Sequence, residues 1–188
     1  GIYCTLCFEN TRLNVNIPAI GSYMVSNALA AVAAGRLLGL SDEQLINGVQ
    51  SYKTVGSRAN VINTGKIRII DDCYNANPTS VKASLDTLVN FSGRKVAILG
   101  DMKELGTEEL KLHYETGKYA KDKGVDLVIA AGPLAKELAK GADGEWFESV
   151  EQVKSAIPAL INEGDTVLVK ASHSMHFEEI VDFLKEQC

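Results

Sequence analysis

An alternation of short apolar runs and helix-like segments, beginning near residue 67, constrains the fold more than any other feature of this sequence. The runs at 95–99 and 166–169 are continuously apolar or nearly so, which is typical of strands covered on both faces. Strands are predicted at 67–72, 95–99, 125–130, 145–147 and 166–170, and helices at 79–91, 107–123, 133–140, 149–162 and 175–186. Alternating strands and helices favour a doubly wound α/β fold with a mostly parallel sheet.

The residues before this alternation have a different pattern. Two strands are predicted on either side of Glu9–Asn10, followed by an Ala-rich helix over 27–38 that is apolar almost all round and is expected to be buried. A capping box of Ser41 and Gln44 predicts a second short helix that runs to about Tyr52. We therefore expect a partial first domain over 1–56 and a complete α/β domain over 57–188, which opens with a hairpin ending in Asp71–Asp72.

Composition excludes several classes of function. The chain has 188 residues with a net charge of −5 and a pI near 5.3, and its basic residues are not clustered, which argues against a nucleic-acid partner. The longest apolar run, 28–34, is far shorter than the roughly 20 residues that span a bilayer, so no membrane span is expected. With no signal-peptide pattern, a cytoplasmic location is expected, and the first residue, Gly1, suggests a processed product or a piece of a longer chain.

The cysteines and histidines do not predict a metal site. Cys4 and Cys7 resemble half of a zinc site, but no second pair follows at ligand spacing, and in a strand the two would point to opposite faces. Cys4, Cys7, Cys73 and Cys188 are therefore expected to be unpaired, reduced thiols. His113, His173 and His176 lack the spacing of a metal triad, and His113 is expected to be packed or solvated on a helix.

Polar residues cluster where the predicted strands end. The segments are Asp71–Pro78, Gly100–Met102, Gly132–Pro133 and Lys170–His173. Each has a structural explanation, such as an Asn77 cap before Pro78, but together they indicate a ligand site beyond the carboxyl ends of the strands. The chain contains no G-x-x-x-x-G-K-[ST] phosphate loop, no G-x-G-x-x-G after a strand and no G-x-S-x-G turn, so the residues alone do not identify a reaction.

Four motifs together resemble the C-terminal part of the Mur ligase family. They are Gly21–Ala31, Asp72–Pro78, Leu99–Gly106 and Val169–Ser172. The resemblance implies an ATP-dependent amide-bond ligase in which ATP phosphorylates a carboxylate and an amine attacks the acyl phosphate. It also implies that 1–56 is the end of a central ATP-binding domain and that 57–188 is a Rossmann-like C-terminal domain. The phosphate loop and the Mg²⁺ ligands would then lie upstream, so no catalytic residue is expected here and the chain alone is expected to be inactive.

Two strings point to one branch of the family. Tyr-Asn-Ala-Asn-Pro at 74–78 and Gly-Asp-Met-Lys-Glu-Leu-Gly at 100–106 imply the addition of D-alanyl-D-alanine to UDP-N-acetylmuramoyl-tripeptide in peptidoglycan synthesis. Three alternatives stay open: a branch that adds a single amino acid, a folate-polyglutamating relative, and a stand-alone nucleotide-binding module without chemistry.

The resemblance also assigns residues to ligands. It implies that Asn27 meets adenine, that Arg58 and Asp72 hold the ribose, and that Tyr74, Asn75 and Asn77 form the same wall of the ATP site. The dipeptide is expected at Asp101, Lys170 and Ser172, although Asp101 could instead cap the turn before Met102. The sequence departs from the family pattern at Tyr23, where histidine is frequent, at Ser57 and Ala59, where glycine and methionine flank the arginine, and at His173, where arginine is usual.

Overall fold

The computed structural model describes residues 1–8 and 11–187. The chain forms two compact units, Gly1–Val55 and Gly56–Cys188, which divide one residue before the domain boundary expected at 56/57. The connection at Glu9–Asn10 and the thiol of Cys188 lie outside the described residues.

The first unit packs two helices against a two-stranded antiparallel sheet. Its elements are β1 (Ile2–Phe8), β2 (Thr11–Ile17), α1 (Tyr23–Leu37) and α2 (Asp42–Gln50). Leu6 and Leu13 face each other across the sheet and belong to a small core that includes Val32 of α1 and Leu45 of α2. The capping box is confirmed, because Ser41 Oγ accepts from the Gln44 amide at 3.3 Å and Gln44 Oε1 accepts from the Ser41 amide at 2.9 Å.

The prediction that the Ala-rich helix is buried is wrong for this unit. Helix α1 begins at Tyr23, four residues earlier than predicted, and within it the residues Ala28, Val32 and Gly35 are buried. Leu37 is 84% exposed, and Leu38, just beyond the helix, is 82% exposed. The apolar pattern shows that every face of the helix could be buried, but the described elements of this unit cover one face.

The second unit is built on one sheet. Its described residues form the strands β3 (Asn60–Asn63), β4 (Arg68–Asp71), β5 (Lys95–Gly100), β6 (Leu127–Ala131), β7 (Glu145–Phe147) and β8 (Thr166–Lys170), in the order β3-β4-β8-β5-β6-β7. β3 pairs antiparallel with β4, as the predicted hairpin requires, and every other pair is parallel. The predicted mostly parallel α/β fold is confirmed.

Five α-helices complete the described part of this unit: α3 (Pro78–Leu88), α4 (Glu109–Asp122), α5 (Ala135–Ala142), α6 (Val150–Leu160) and α7 (Glu178–Gln187). α4 packs between α3 and α5, whereas α6 and α7 pack together against a core that includes Ile98, Val167 and Phe177. The helices predicted from 107 and 175 begin later than expected, because short 3₁₀ helices occupy Gly106–Glu108 and His173–Met175. None of the helices in the described part of the chain has the length and apolar character needed to cross a membrane.

Strand register brings the predicted polar segments to one edge. Asp71 at the end of β4 lies opposite Val169 of β8, and Leu99 of β5 lies opposite Lys170 at the end of β8. Because β8 lies between β4 and β5, the residues that follow all three strands emerge side by side.

Candidate functional site at the carboxyl ends of the central strands

Asp72 is the centre of one cluster at this edge. The residue follows β4 and is 8% exposed. Its Oδ2 accepts from Lys170 Nζ at 2.6 Å and from Ser84 Oγ at 2.7 Å, while Oδ1 accepts from the Ala59 amide at 3.1 Å. The carboxylate therefore joins β4 to the end of β8, to α3 and to the turn before β3.

Lys170 is directed into the protein. It is 3% exposed, and its ammonium group donates to Asp72 Oδ2, to the Asn75 carbonyl at 2.9 Å and, at 3.5 Å, to the Asp72 carbonyl. An ammonium group has three N–H donors, so these contacts use its hydrogen-bonding capacity. In this arrangement Lys170 does not face solvent as a free cation.

Beside this cluster lies an exposed stack of planar side chains. The Arg58 guanidinium lies 3.8 Å from the centre of the Tyr74 ring, and the Tyr74 and His173 rings are 5.9 Å apart. Tyr74 is 47% exposed, and its amide donates to the Ser57 carbonyl at 3.0 Å. A cation stacked on an aromatic ring and open to solvent can contact a flat or anionic ligand.

Asn75 and Asn77 lie in the loop between β4 and α3, and both are exposed. Asn77 caps α3, since its Oδ1 accepts from the Ser80 amide at 2.9 Å while Ser80 Oγ accepts from the Asn77 amide at 3.1 Å. The structural interpretation of the Asn77–Pro78 pair is thus confirmed. Asn75 Oδ1 accepts from the adjacent Ala76 amide at 2.8 Å.

Asp101 forms a second cluster, after β5. It is fully buried, and its Oδ1 accepts from the amides of Leu134 and Ala135 at 3.0 and 2.8 Å. Its Oδ2 accepts from Lys103 Nζ at 2.7 Å, and its carbonyl accepts from the Ser172 amide at 3.2 Å. The Asp101 carboxylate therefore holds the start of α5, where a negative charge is favourable.

The alternative that Asp101 caps the turn before Met102 is wrong. The Met102 amide donates instead to His113 Nε2 at 2.9 Å, and His113 Nδ1 lies 2.7 Å from the Glu109 carbonyl. His113 is fully buried, which confirms that it is packed on its helix. The two contacts define a neutral tautomer that donates through Nδ1 and accepts through Nε2.

Within the second unit, the structure brings Arg58, Asp72, Tyr74, Asn75 and Lys170 together and joins Asp101 to Ser172. Asn27 belongs to the first unit, where it is exposed and its Nδ2 lies 3.5 Å from Met24 Sδ.

The partners of these residues were not predicted from the sequence. They are the Ala59 and Ala135 amides, the Ser84 hydroxyl and Lys103, whose amide donates to Ser172 Oγ at 2.9 Å. Ser84 lies two helical turns after Asn77, which is the one local signal that could have indicated its orientation.

The described cysteines are free thiols, and one of them, Cys73, is buried. In the described residues Cys4, Cys7 and Cys73 are unpaired, as predicted. Cys73 Sγ donates to the Val169 carbonyl at 3.5 Å, and burial, assisted by the Asp71 carboxylate, raises the pKa of this thiol far above its usual range. Residues 1–8 and 11–187 contain no group of three or more His, Cys, Asp or Glu side chains placed to hold a metal ion.

Comparison with known proteins decides the family. A family model described as Mur ligase, glutamate ligase domain, matches residues 57–173, which include the motifs at 72–78 and 99–106. The chain belongs to the Mur ligase family. The predicted family resemblance is confirmed.

Relatives of this Mur ligase chain match it along most of its length. The chain is 36% identical to the UDP-N-acetylmuramoyl-tripeptide–D-alanyl-D-alanine ligase of Bacillus subtilis, over 95% of the chain and 40% of that protein. A crystal structure of MurF from Acinetobacter baumannii is 30% identical with a TM-score of 0.90, covering 97% of this chain and 42% of that one. Escherichia coli FolC in complex with ADP is 26% identical with a TM-score of 0.67, over 96% and 44%. The chain thus spans about two fifths of these relatives.

Proposed function

We propose that this chain is part of an ATP-dependent ligase that joins D-alanyl-D-alanine to UDP-N-acetylmuramoyl-tripeptide through an acyl phosphate. The observation that carries the proposal is the identity of 36% over 95% of the chain to a ligase of that name. The product would serve peptidoglycan synthesis, and with it cell shape and division. We further propose a cytoplasmic location, which suits the unpaired cysteines of the described residues.

In this proposal the exposed edge of the second unit contacts the nucleotide. Arg58 and Tyr74 offer a stacked cation and ring, and exposed Asn75 and Asn77 extend the same surface. The Asp72 carboxylate uses three of its roughly four lone-pair directions inside the protein, which leaves one for a ribose hydroxyl. Asn27 in the first unit is proposed to meet adenine, and the FolC relative that was solved with ADP supports nucleotide binding.

The first unit is proposed to be the end of the central ATP-binding domain, and the second unit to be the C-terminal ligase domain. ATP would supply the phosphoryl group that activates the acceptor carboxylate. The described residues do not offer a carboxylate cluster suited to Mg²⁺, so we assign the Mg²⁺ ligands to the part of the ligase outside this chain.

The dipeptide half-site is proposed at the Asp101 cluster. A zwitterionic dipeptide needs a cation for its carboxylate and an acceptor for its amine. Lys170 is internally paired, whereas the side chain of Lys103 is 41% exposed beside Asp101 and can present the cation. We propose that Asp101 and Ser172 hold Lys103 and the start of α5 in place for this contact.

The test uses the full-length protein that carries this chain. We expect phosphate release and a ligated product, identified by mass spectrometry, when ATP, UDP-N-acetylmuramoyl-tripeptide and D-alanyl-D-alanine are all present. Omitting any one substrate is the control. Turnover with a single amino acid or with a folate, and none with the dipeptide, would instead assign the chain to another branch.

The half-site has its own test in the same enzyme. Asp101→Asn and Ser172→Ala are each expected to raise the KM for the dipeptide and to leave the KM for ATP unaltered. Wild-type dipeptide kinetics in both variants would place the dipeptide elsewhere.

A further inference from the structure

We propose that Lys170 is a positioning residue, which fixes the nucleotide-facing edge by binding the Asp72 carboxylate and the Asn75 carbonyl. The inference rests on the proposed nucleotide site and assigns Lys170 to that site rather than to the dipeptide. It predicts that Lys170 acts through the residues that it holds and touches no substrate.

The ammonium group of Lys170 is buried and paired. Lys170 is 3% exposed at the end of the central strand β8, where an unpaired ammonium group would be strongly unfavourable. Its partner Asp72 is also buried, and Nζ and Oδ2 are 2.6 Å apart. Asp71, the nearest other carboxylate in sequence, accepts from the Cys73 amide at 3.4 Å within its own turn. The ion pair of Lys170 and Asp72 is therefore a buried structural contact at this edge of the sheet.

On the side of Arg58, the Lys170–Asp72 pair holds a strained turn. Asp72 Oδ1 accepts from the amide of Ala59, which has a φ of 55°. A residue with a Cβ rarely adopts this left-handed conformation, so the turn needs an external contact to hold it. Arg58 immediately precedes it and lies over Tyr74. Without the Asp72 carboxylate as an acceptor, the backbone that positions the Arg58 guanidinium would no longer be held.

On the other side, Lys170 also holds the loop at 74–77. Lys170 donates to the Asn75 carbonyl, and the neighbouring Tyr74 amide donates to the Ser57 carbonyl. The turn at 57–59 and the loop at 74–77 are thus joined to each other. The ammonium group contacts the loop directly at the Asn75 carbonyl and supports the turn through the Asp72 carboxylate. A single buried lysine sets the spacing of the two segments that carry the exposed stack.

Amide hydrogen exchange on this 188-residue chain tests the positioning without any assumption about the reaction. In Lys170→Met we expect the Ala59 amide to exchange at least tenfold faster than in the wild type. The amides of Leu134 and Ala135, which Asp101 holds, should keep their wild-type rates. Lys103→Met is the matched control, because it removes the lysine of the neighbouring cluster and should leave Ala59 unchanged. An unchanged Ala59 rate in Lys170→Met would overturn the proposal.

Steady-state kinetics of the full-length enzyme separate positioning from direct contact. Lys170→Met is expected to raise the KM for ATP about tenfold, with the KM for the dipeptide unchanged and kcat within about threefold. A raised dipeptide KM, or a collapse of kcat at an unchanged KM for ATP, would mean that Lys170 touches the dipeptide or the phosphoryl group.

A milder variant covers the case in which Lys170→Met does not fold. Lys170→Gln keeps a hydrogen-bond donor for Asp72 Oδ2 and the Asn75 carbonyl but removes the charge. It should accelerate Ala59 exchange and raise the KM for ATP in the same direction by a smaller factor, and wild-type values of both would contradict the proposal. A full-length enzyme without ligase activity would refute the proposed function, whereas the exchange result would still decide whether Lys170 holds the edge.

Discussion

Two buried aspartates at the same sheet edge stabilise different parts of the structure. Asp72 holds a turn, a helix and a strand end together through Ala59, Ser84 and Lys170. Asp101 instead accepts from the Leu134 and Ala135 amides at the start of α5 and from the Lys103 ammonium group. Each carboxylate has its charge balanced by a lysine, as buried charges require.

At this scale we predict that Asp101→Ala is strongly destabilising. Two amides and one ammonium group lose their acceptor, and because a hydrogen bond to a charged group contributes roughly 1.5–3 kcal/mol, we expect the free energy of unfolding to fall by about 3 kcal/mol. Urea denaturation measures the change. Glu108→Ala is the control, since Glu108 is exposed and pairs with Lys111 on the same helix turn, and it should cost less than about 0.5 kcal/mol. Equal effects of the two substitutions would contradict this account of Asp101.

At the scale of elements, helices α4 and α5 approach each other at glycines. A Cβ added at Gly117 would lie 1.9 Å from the Leu138 carbonyl oxygen, and one at Gly141 would lie 2.1 Å from the Tyr114 carbonyl oxygen. These atoms belong to the backbone, so neither clash can be relieved by a rotamer change. The two glycines therefore set the distance between the helices.

We predict that Gly117→Ala lowers the free energy of unfolding by about 2 kcal/mol, because overpacking outweighs the gain of roughly 1 kcal/mol in helix propensity. Gly48→Ala on α2 is the matched control. In the described structure a Cβ at Gly48 meets no atom within 4 Å, so this variant should be neutral or more stable by up to about 1 kcal/mol. Thermal and urea unfolding of both variants provide the comparison, and a stabilised Gly117→Ala would contradict the close packing.

The contact between α3 and α4 predicts a pH dependence. Desolvation raises the pKa of Asp86, but hydrogen bonds from Lys123 at 2.6 Å and from the Tyr119 hydroxyl at 2.9 Å outweigh it, so the pKa lies below its usual value. A depressed pKa stabilises the folded state above the unfolded pKa of about 4, and this contribution is lost as the pH falls through the folded pKa.

Asp86→Asn should therefore be less stable than the wild type at pH 7, by less than about 1 kcal/mol because the pair is largely exposed. The difference should shrink below pH 4 in urea titrations at pH 7, 5 and 3. Glu186→Gln, which removes an exposed carboxylate on α7, is the control for the loss of one surface charge. A difference that grows on acidification would contradict the sign of the shift.

At the scale of the whole molecule, the chain contributes one part of the proposed ligase site. Its two units, Gly1–Val55 and Gly56–Cys188, each have a core of their own. The sheet edge at the carboxyl ends of β4, β8 and β5 presents planar and polar groups. Phosphoryl transfer also requires positioned cations and backbone amides around the phosphates.

We predict that the isolated 188-residue chain neither hydrolyses ATP nor forms the amide bond. The sequence contains no G-x-x-x-x-G-K-[ST] loop to hold the phosphates. Phosphate release from the purified chain should equal the buffer blank, while the full-length enzyme provides the positive control. ATP turnover that co-elutes with the chain through successive purification steps would contradict the prediction.

Local sequence patterns predicted the elements well where the signal depends on near neighbours. The nearly continuous apolar run at 166–169 lies in β8, and Asn77 before Pro78 caps the start of α3 as predicted. Burial of α1 was predicted incorrectly, because the same apolar pattern is compatible with one covered face or with several. The assignments of Asp72, Asp101 and Ser172 to ligands stay predictions, and for Lys170 we propose the positioning role in place of the dipeptide contact.

The sequence by itself determined the order of strands and helices, the sheet edge at which polar groups gather, and the family. Hydrophobic periodicity, helix caps and turn residues depend on amino acids only a few positions apart. They can therefore be recognised in the sequence alone. Tertiary structure alone decided which atoms those polar groups engage. Asp72 meets Lys170 across 98 positions, and Asp101 meets the Ala135 amide across 34. Such pairs exist because the parallel register aligns the ends of β4, β8 and β5. A charge buried at these ends is stable only when it binds an opposite charge or an amide that the register places next to it.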